Sequence, residues 1–149
     1  MPKLPLTNDE RSLLRKHKVK VAEVNELATS ELAEMLYTSQ LRAQKLRAHA
    51  TFQAIPSIGP KFAEDLILIG KYDLESLTGT TGAELLNTFE RHNGVWTDPC
   101  VEDQFRLAVH VAKTGDYSKQ WPDFTAERKA FRAKHGYPKD RPTKPWHEQ

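Results

Sequence analysis

A helical pattern that runs into one proline and restarts at another constrains this chain more than any other feature. The stretch Phe52–Leu66 reads F-Q-A-I-P-S-I-G-P-K-F-A-E-D-L. A proline inside a helix removes an amide and clashes with the preceding turn, so the helix arriving at Ile55 must stop at Pro56. Pro60 suits the first position of a new helix, and Ala63 and Leu66 then recur at helical spacing. Ser57, Ile58 and Gly59 are left as a tight turn, and two helices joined so closely form a helical hairpin. Such a turn sets the amides of Gly59, Lys61 and Phe62 at a helix N-terminus, where unsatisfied donors and the positive end of the dipole point outward together. That arrangement suits a phosphate, and Lys61 adds a mobile positive charge beside it. Pro56 and Pro60 shape the turn and donate nothing.

The chain has 149 residues, 38% hydrophobic and 28% charged, which predicts a globular protein with its own core. Its longest aliphatic run, Leu66–Ile69, is far too short for a membrane span, so no membrane partner is expected. The first residues, M-P-K-L-P-L-T, show no apolar signal region. The single cysteine, Cys100, fits a reducing, cytoplasmic setting. The net charge is only +2, so attraction to nucleic acid must come from local clusters. From Ala126 onward seven Lys/Arg face three acidic residues, a local +4, which leaves −2 for the rest.

Helical periodicity recurs along the chain and strand alternation does not, so an all-α fold of about seven or eight helices is predicted. Thr7 and Glu10 form a capping box that opens a first helix, and Thr81 and Glu84 form a second box. A long helix over about Ser39 to Ala54 leads into the hairpin, with Arg42, Lys45 and His49 at i, i+3 and i+7 on its polar face. The second hairpin helix runs from Pro60 to Ile69 and closes at Gly70. Asp98, followed by Pro99, reads as the cap of a later helix, and Asp123 as the cap of a charged helix over about Thr125–His135. Residues 1–115 read as a helical domain holding the hairpin (52–69), and 116–149 as a basic helix followed by an extended or disordered Pro-rich tail. His17–Ala50 and Leu68–Leu86 echo one another in the order of loop, short turn, cap and longer helix.

The Phe52–Leu66 stretch resembles the helix-hairpin-helix motif of proteins that bind DNA without sequence specificity. Phe52, Ile55, Pro56, Ile58, Gly59, Pro60, Ala63 and Leu66 match the motif. The first hairpin glycine is replaced by Ser57, and if that position needs positive φ the serine carries roughly 1–2 kcal/mol of strain. Residues from about Phe52 to Ala112 also resemble a small prokaryotic family named after a pathogenicity locus. I-P-S-I-G-P-K-F-A-E-D-L, D-L-E-S-L and D-P-C-V-E-D-Q-F-R-L-A-V-H-V-A carry that likeness, and residues 1–50 look like the N-terminal extension of its longer members. The resemblance implies a compact multi-helix domain built on a helix-hairpin-helix core, and the internal echo suggests that two such SAM-like units are paired. It also implies DNA binding, in DNA repair or processing, and a monovalent cation as an optional occupant of the Ile55 and Ile58 carbonyls. The family name records a genomic location, not an activity.

Taken together, these features predict a non-enzymatic DNA-binding protein. The expected phosphate contacts are Ser57, Ile58, Gly59, Lys61 and Phe62, extended by Lys71 and by the Arg42, Lys45 and His49 stripe. The plain alternative for Lys61, and for the stripe, is a solvated helix face. Some DNA glycosylases of this motif place a nucleophilic lysine where Lys61 stands, but they also need an aspartate past the second helix. Here that region reads L-T-G-T-T-G, which leaves no more than a glycosylase or lyase relic, and no catalytic residue is assigned. The histidines show no metal-ligand spacing with Cys100, so no metal is expected. At Cys100 the helix N-terminus would lower the thiol pKa, but Asp98, Glu102 and Asp103 oppose it. The rival class is a protein-interaction module, favoured by the modest net charge and by the acidic cluster Glu84, Glu90, Asp98, Glu102 and Asp103.

Overall fold

The computed structural model describes residues 2–148. Among these are seven α-helices, four short 3-10 turns and no strand, only an isolated bridge between Trp96 and Pro145. The protein is all-helical, as the periodicity predicts. The chain forms two compact units, Met1–Asp73 and Leu74–Gln149.

The first unit contains α1 (Asn8–Lys16), a 3-10 turn over Val21–Glu26, α2 (Thr29–Leu36), α3 (Gln40–Gln53) and α4 (Pro60–Leu68). Both halves of the Thr7/Glu10 box form: Thr7 Oγ1 accepts the Glu10 amide at 3.1 Å and the Glu10 carboxylate accepts the Thr7 amide at 2.9 Å. The last turn of α1 closes with Lys18 in the left-handed region (φ 57°). Its amide reaches the Arg15 carbonyl, and the Val19 amide reaches that of Leu14. This Schellman pattern turns the chain back across α1. Leu4, Leu14, Val24, Leu32, Leu36 and Leu46 make the core beneath. α1 is tied to α3 by an ion pair in which Arg42 donates to both oxygens of buried Glu10 (2.8 and 3.2 Å) and to the Pro5 carbonyl (2.6 Å).

The second unit runs through a 3-10 turn at Glu75–Leu77, α5 (Gly82–Asn93), α6 (Pro99–Thr114), a turn at Trp121–Phe124, α7 (Thr125–His135) and a turn at Trp146–Glu148. The Thr81 box forms only by half. Thr81 Oγ1 caps the Glu84 amide, whereas the Glu84 carboxylate accepts from the Thr80 hydroxyl. Asp98 caps α6 through the Cys100 amide as expected, but Asp123 accepts the Gln120 amide and closes a 3-10 turn instead of capping α7. α5 and α6 approach so closely at Gly82 that a Cβ there would sit 2.8 Å from the Arg106 backbone.

Three of the five acids in the predicted acidic cluster are interior residues of this unit. Glu90, Glu102 and Asp103 are almost fully buried, and each is met by arginine. Glu102 takes Arg132 (2.8 Å) and Arg106 (2.9 Å). Asp103 takes Arg128 (2.8 Å) and the Thr125 hydroxyl (2.7 Å). Glu90 takes Arg141 (2.8 and 3.0 Å) and the Thr97 amide (2.8 Å). A buried carboxylate without such partners would cost several kcal/mol, which is why the basic C-terminal stretch packs inward. Tyr137 lies between the Arg132 and Arg141 guanidiniums, 4.2 and 3.6 Å from its ring centroid. The Trp96 amide reaches the Lys144 carbonyl and the Trp146 amide that of Trp96. These contacts bridge the break expected after residue 115 and hold the Pro-rich end in an ordered path. The charge divides by residue type: Arg128, Arg132 and Arg141 turn inward, while Lys129, Lys134, Lys139 and Lys144 are exposed.

Three substitutions test this account. Gly82→Ala should destabilise by about 1–3 kcal/mol, read by chemical denaturation, because the α6 backbone at Arg106 cannot yield. Arg128→Met should cost about 3 kcal/mol by stranding Asp103, and adding Asp103→Leu should recover most of the loss. The third concerns pH. The hydrogen bond from Arg42, ahead of that from the Thr7 amide, holds the Glu10 carboxyl below its ordinary value near 4.5. The stabilisation is therefore full above that value and is lost as pH falls through the lowered folded one. Glu10→Gln should lower the melting temperature at neutral pH, and its gap to wild type should close on acidification.

Candidate nucleic-acid interface

The turn between α3 and α4 follows from its residues one by one. The Ala54 amide bonds the Thr51 carbonyl and the Ile55 amide that of Phe52, ending α3 before Pro56. The Ile58 amide then reaches the Ile55 carbonyl at 3.2 Å, so one lone pair of that proposed cation ligand already closes the turn. Ser57 lies at φ 64°, the left-handed conformation that a glycine would accept without cost. Ile55, Ile58 and Phe62 are buried and anchor the turn from below, while Ser57, Gly59 and Pro60 are exposed. Ile58 and Phe62 therefore offer a partner little surface, 6% and 3% of each residue being exposed.

Gly59 is the N-cap of α4, with Pro60 at the first helical position. Its backbone is extended (φ −102°, ψ −174°), a conformation open to any residue, and a Cβ added there would meet nothing within 4 Å. Neither backbone angle nor crowding within the protein demands a glycine at this position. A glycine N-cap supplies no side-chain oxygen to the first turn of α4. The space beside it is a cleft of about 510 Å³ whose lining includes Gly59, Pro60, Gln53 and Lys3. Gln53 holds the N-terminal segment there, accepting the Lys3 amide at 2.9 Å and donating to the Lys3 carbonyl at 2.8 Å. Lys3 was not among the residues expected near the turn. Its neighbour Gln53 is fifty positions away, and no local pattern connects them.

The expected cations do not gather on one face. Lys61 is 87% exposed, but its ammonium bonds Asp65 Oδ1 at 2.8 Å, one helical turn along. Burial raises the Asp65 carboxyl above its ordinary value, and Lys61 offsets this only in part. Lys71 lies past the far end of α4, about 15 Å along the helix axis from the turn. It closes that end, its amide bonding the Leu66 carbonyl next to Gly70 at φ 84°. Arg42 is committed to Glu10 and Pro5. His49 is buried, with Nε2 2.7 Å from Glu64 and Nδ1 3.4 Å from Gln53, so it joins α3 to α4 instead of facing solvent. Lys45 is half-exposed, as Arg42 is, and it alone of the stripe makes no side-chain bond among the described residues. The stripe thus fails as a stripe because helical spacing marks His49 as polar without showing that Glu64 lies across from it.

Elsewhere, burial, then Asp98, pushes the Cys100 thiol up, which disfavours a thiolate. No group of three or more His, Cys, Asp or Glu among the described residues is arranged to hold a metal ion. No described helix is long and apolar enough to cross a membrane.

Comparison with known families follows the same region of the chain. The family model described as Cdd1, pathogenicity locus, matches residues 42–130. The chain belongs to this family. No curated protein and no solved structure matches it. The Cdd1 match begins within α3 and ends within α7, so it takes in the turn, the Gly59 cleft wall and the buried acids. It leaves out α1 and Lys3 at one end, and Arg132 and Arg141 at the other.

The Lys61–Asp65 pair gives a direct test. An acid raised by burial contributes stability below its unfolded pKa, and this is lost as pH rises through the folded value. Asp65→Asn should therefore gain on wild type in denaturation midpoint as pH rises from the acid range to neutrality. A constant difference across that range would reject the assignment.

Proposed function

We propose that this Cdd1 family member binds DNA through the sugar–phosphate backbone, with little sequence preference and without acting on it chemically. The observation that carries this reading is Gly59. It is a glycine that its own backbone does not require, at an exposed helix N-terminus with open space where a side chain would stand. A phosphate seated there would accept from the first-turn amide of Lys61 and meet the positive end of the α4 dipole. The Lys61 ammonium would swing from Asp65 to the phosphate, and Lys3, on the same cleft, would add a second charge. Arg42 and His49 stay with their internal partners, and Lys71 is too far along α4 to join. Contacts of this kind hold a protein on the backbone and do not read bases. The helix-turn-helix order, the match to the hairpin motif at eight positions and the exposed turn all support the reading.

The test sets folding against binding. Gly59→Asp gives α4 a carboxylate cap, so stability should hold or rise by a few tenths of a kcal/mol. The same carboxylate occupies the phosphate position and repels DNA, so affinity for a random duplex should fall about tenfold or more by fluorescence anisotropy. Lys61→Ala should reduce the slope of log affinity against log salt by about one. Asp65→Asn, which frees Lys61, should tighten binding. Undiminished duplex binding by Gly59→Asp would refute the proposal.

A further inference from the structure

The first unit carries a second cleft that the DNA reading leaves unused. It has a volume of about 610 Å³ and is built by α1 and the chain that folds back from it. Buried Leu14 and half-buried Val19 and Val21 give it an apolar floor. Arg11, Arg15, Lys18 and Lys20 complete its lining, all four exposed, and among the described residues no carboxylate lines it. The imbalance extends beyond the cleft. From Lys3 to Lys20 there are six Lys/Arg and only two acids, and one of these, Glu10, is neutralised by Arg42. The geometry that brings Val19 over Leu14 also sets Lys18 on the rim, in a left-handed conformation that glycine would adopt more easily.

We infer that this cleft docks an acidic segment of a partner protein, anchored by one apolar side chain. The anchor seats against Leu14, Val19 and Val21. Flanking aspartates or glutamates pair with Arg11, Arg15, Lys18 and Lys20. Charge complementarity chooses the partner: an apolar floor ringed by four cations repels basic segments and leaves neutral ones without rim contacts. A nucleic-acid backbone would use the rim but has no need of the floor. Most of the binding comes from the desolvated anchor, while the rim charges set specificity and salt dependence. The cleft lies before residue 42, outside the part of the chain matched by the Cdd1 family, and the inference is independent of the Gly59 site.

The test uses the full-length protein and a short fluorescein-labelled peptide of aspartates around one central leucine. Two control peptides replace the leucine by glycine or the aspartates by lysine, and a random duplex is a fourth probe. Anisotropy should show saturable binding of the acidic leucine peptide, about tenfold weaker for the glycine version, and none for the lysine version. Arg15→Glu with Lys18→Glu should weaken peptide binding about tenfold or more and leave duplex affinity nearly unchanged. Lys20→Glu, on an exposed residue preceding a 3-10 turn, serves as a second variant should the double one fail to fold. Gly59→Asp should leave peptide binding unaltered. Absence of peptide binding, equal binding of the glycine version, or charge reversal that weakens the duplex and not the peptide would overturn the inference.

Discussion

Three carboxylates with almost no contact with water govern the second unit. Glu90, Glu102 and Asp103 are each met there by a cation, and the cations come from α6, α7 and the segment after α7. This pairing explains why a stretch poor in apolar residues is nonetheless folded. It also settles the use of the C-terminal positive charge. Arginine, with a planar fork that satisfies two oxygens at once, is drawn inside, and lysine remains at the surface. A basic tail in sequence is therefore not a free basic tail in space.

The first unit repeats the theme on a smaller scale. Arg42 with Glu10, His49 with Glu64 and Lys61 with Asp65 each pair a residue of α3 or α4 with an acid. Each pair takes a charge or a ring that sequence reading offered to DNA and gives it an internal partner. What remains for an outside ligand is smaller and more local: an exposed turn, a glycine with room beside it, one exposed lysine that reaches back to Asp65, and Lys3. The relevant distinction is between cations that hold the fold and cations that can leave their partner. Lys61 belongs to the second kind, because its own side chain is 87% exposed and a single ammonium contact holds it to Asp65, although Asp65 itself is buried.

Much of the fold was legible because its signals are local. The Thr7/Glu10 box, the Asp98–Pro99 start of α6 and the stop and restart at Pro56 and Pro60 all act within a few residues, and the helices began and ended where these predicted. Long-range pairing was not legible. Nothing near Glu102 in sequence announces Arg132, thirty positions later, and acids grouped on one helix look like a solvent face until their partners are seen. The choice of arginine over lysine at 128, 132 and 141 was the signal available, and net-charge counting discards it. At the turn, the hairpin pattern marked Ser57 as the position where a positive φ would carry strain, and its φ is 64°, whereas the cleft beside Gly59 depends on an N-terminal segment that no periodicity places there.

The pairing of Glu90 with Arg141 spans fifty-one positions, and the bridge of Trp96 to Pro145 nearly as many. During synthesis the helices α5 and α6 emerge with their carboxylates before Arg128, Arg132 and Arg141 have been made. The second unit must therefore wait for its last residues, while the first can complete itself from its own. Translation thus imposes an order on the molecule: the half bearing the Gly59 turn is finished early, and the other half is sealed from its far end.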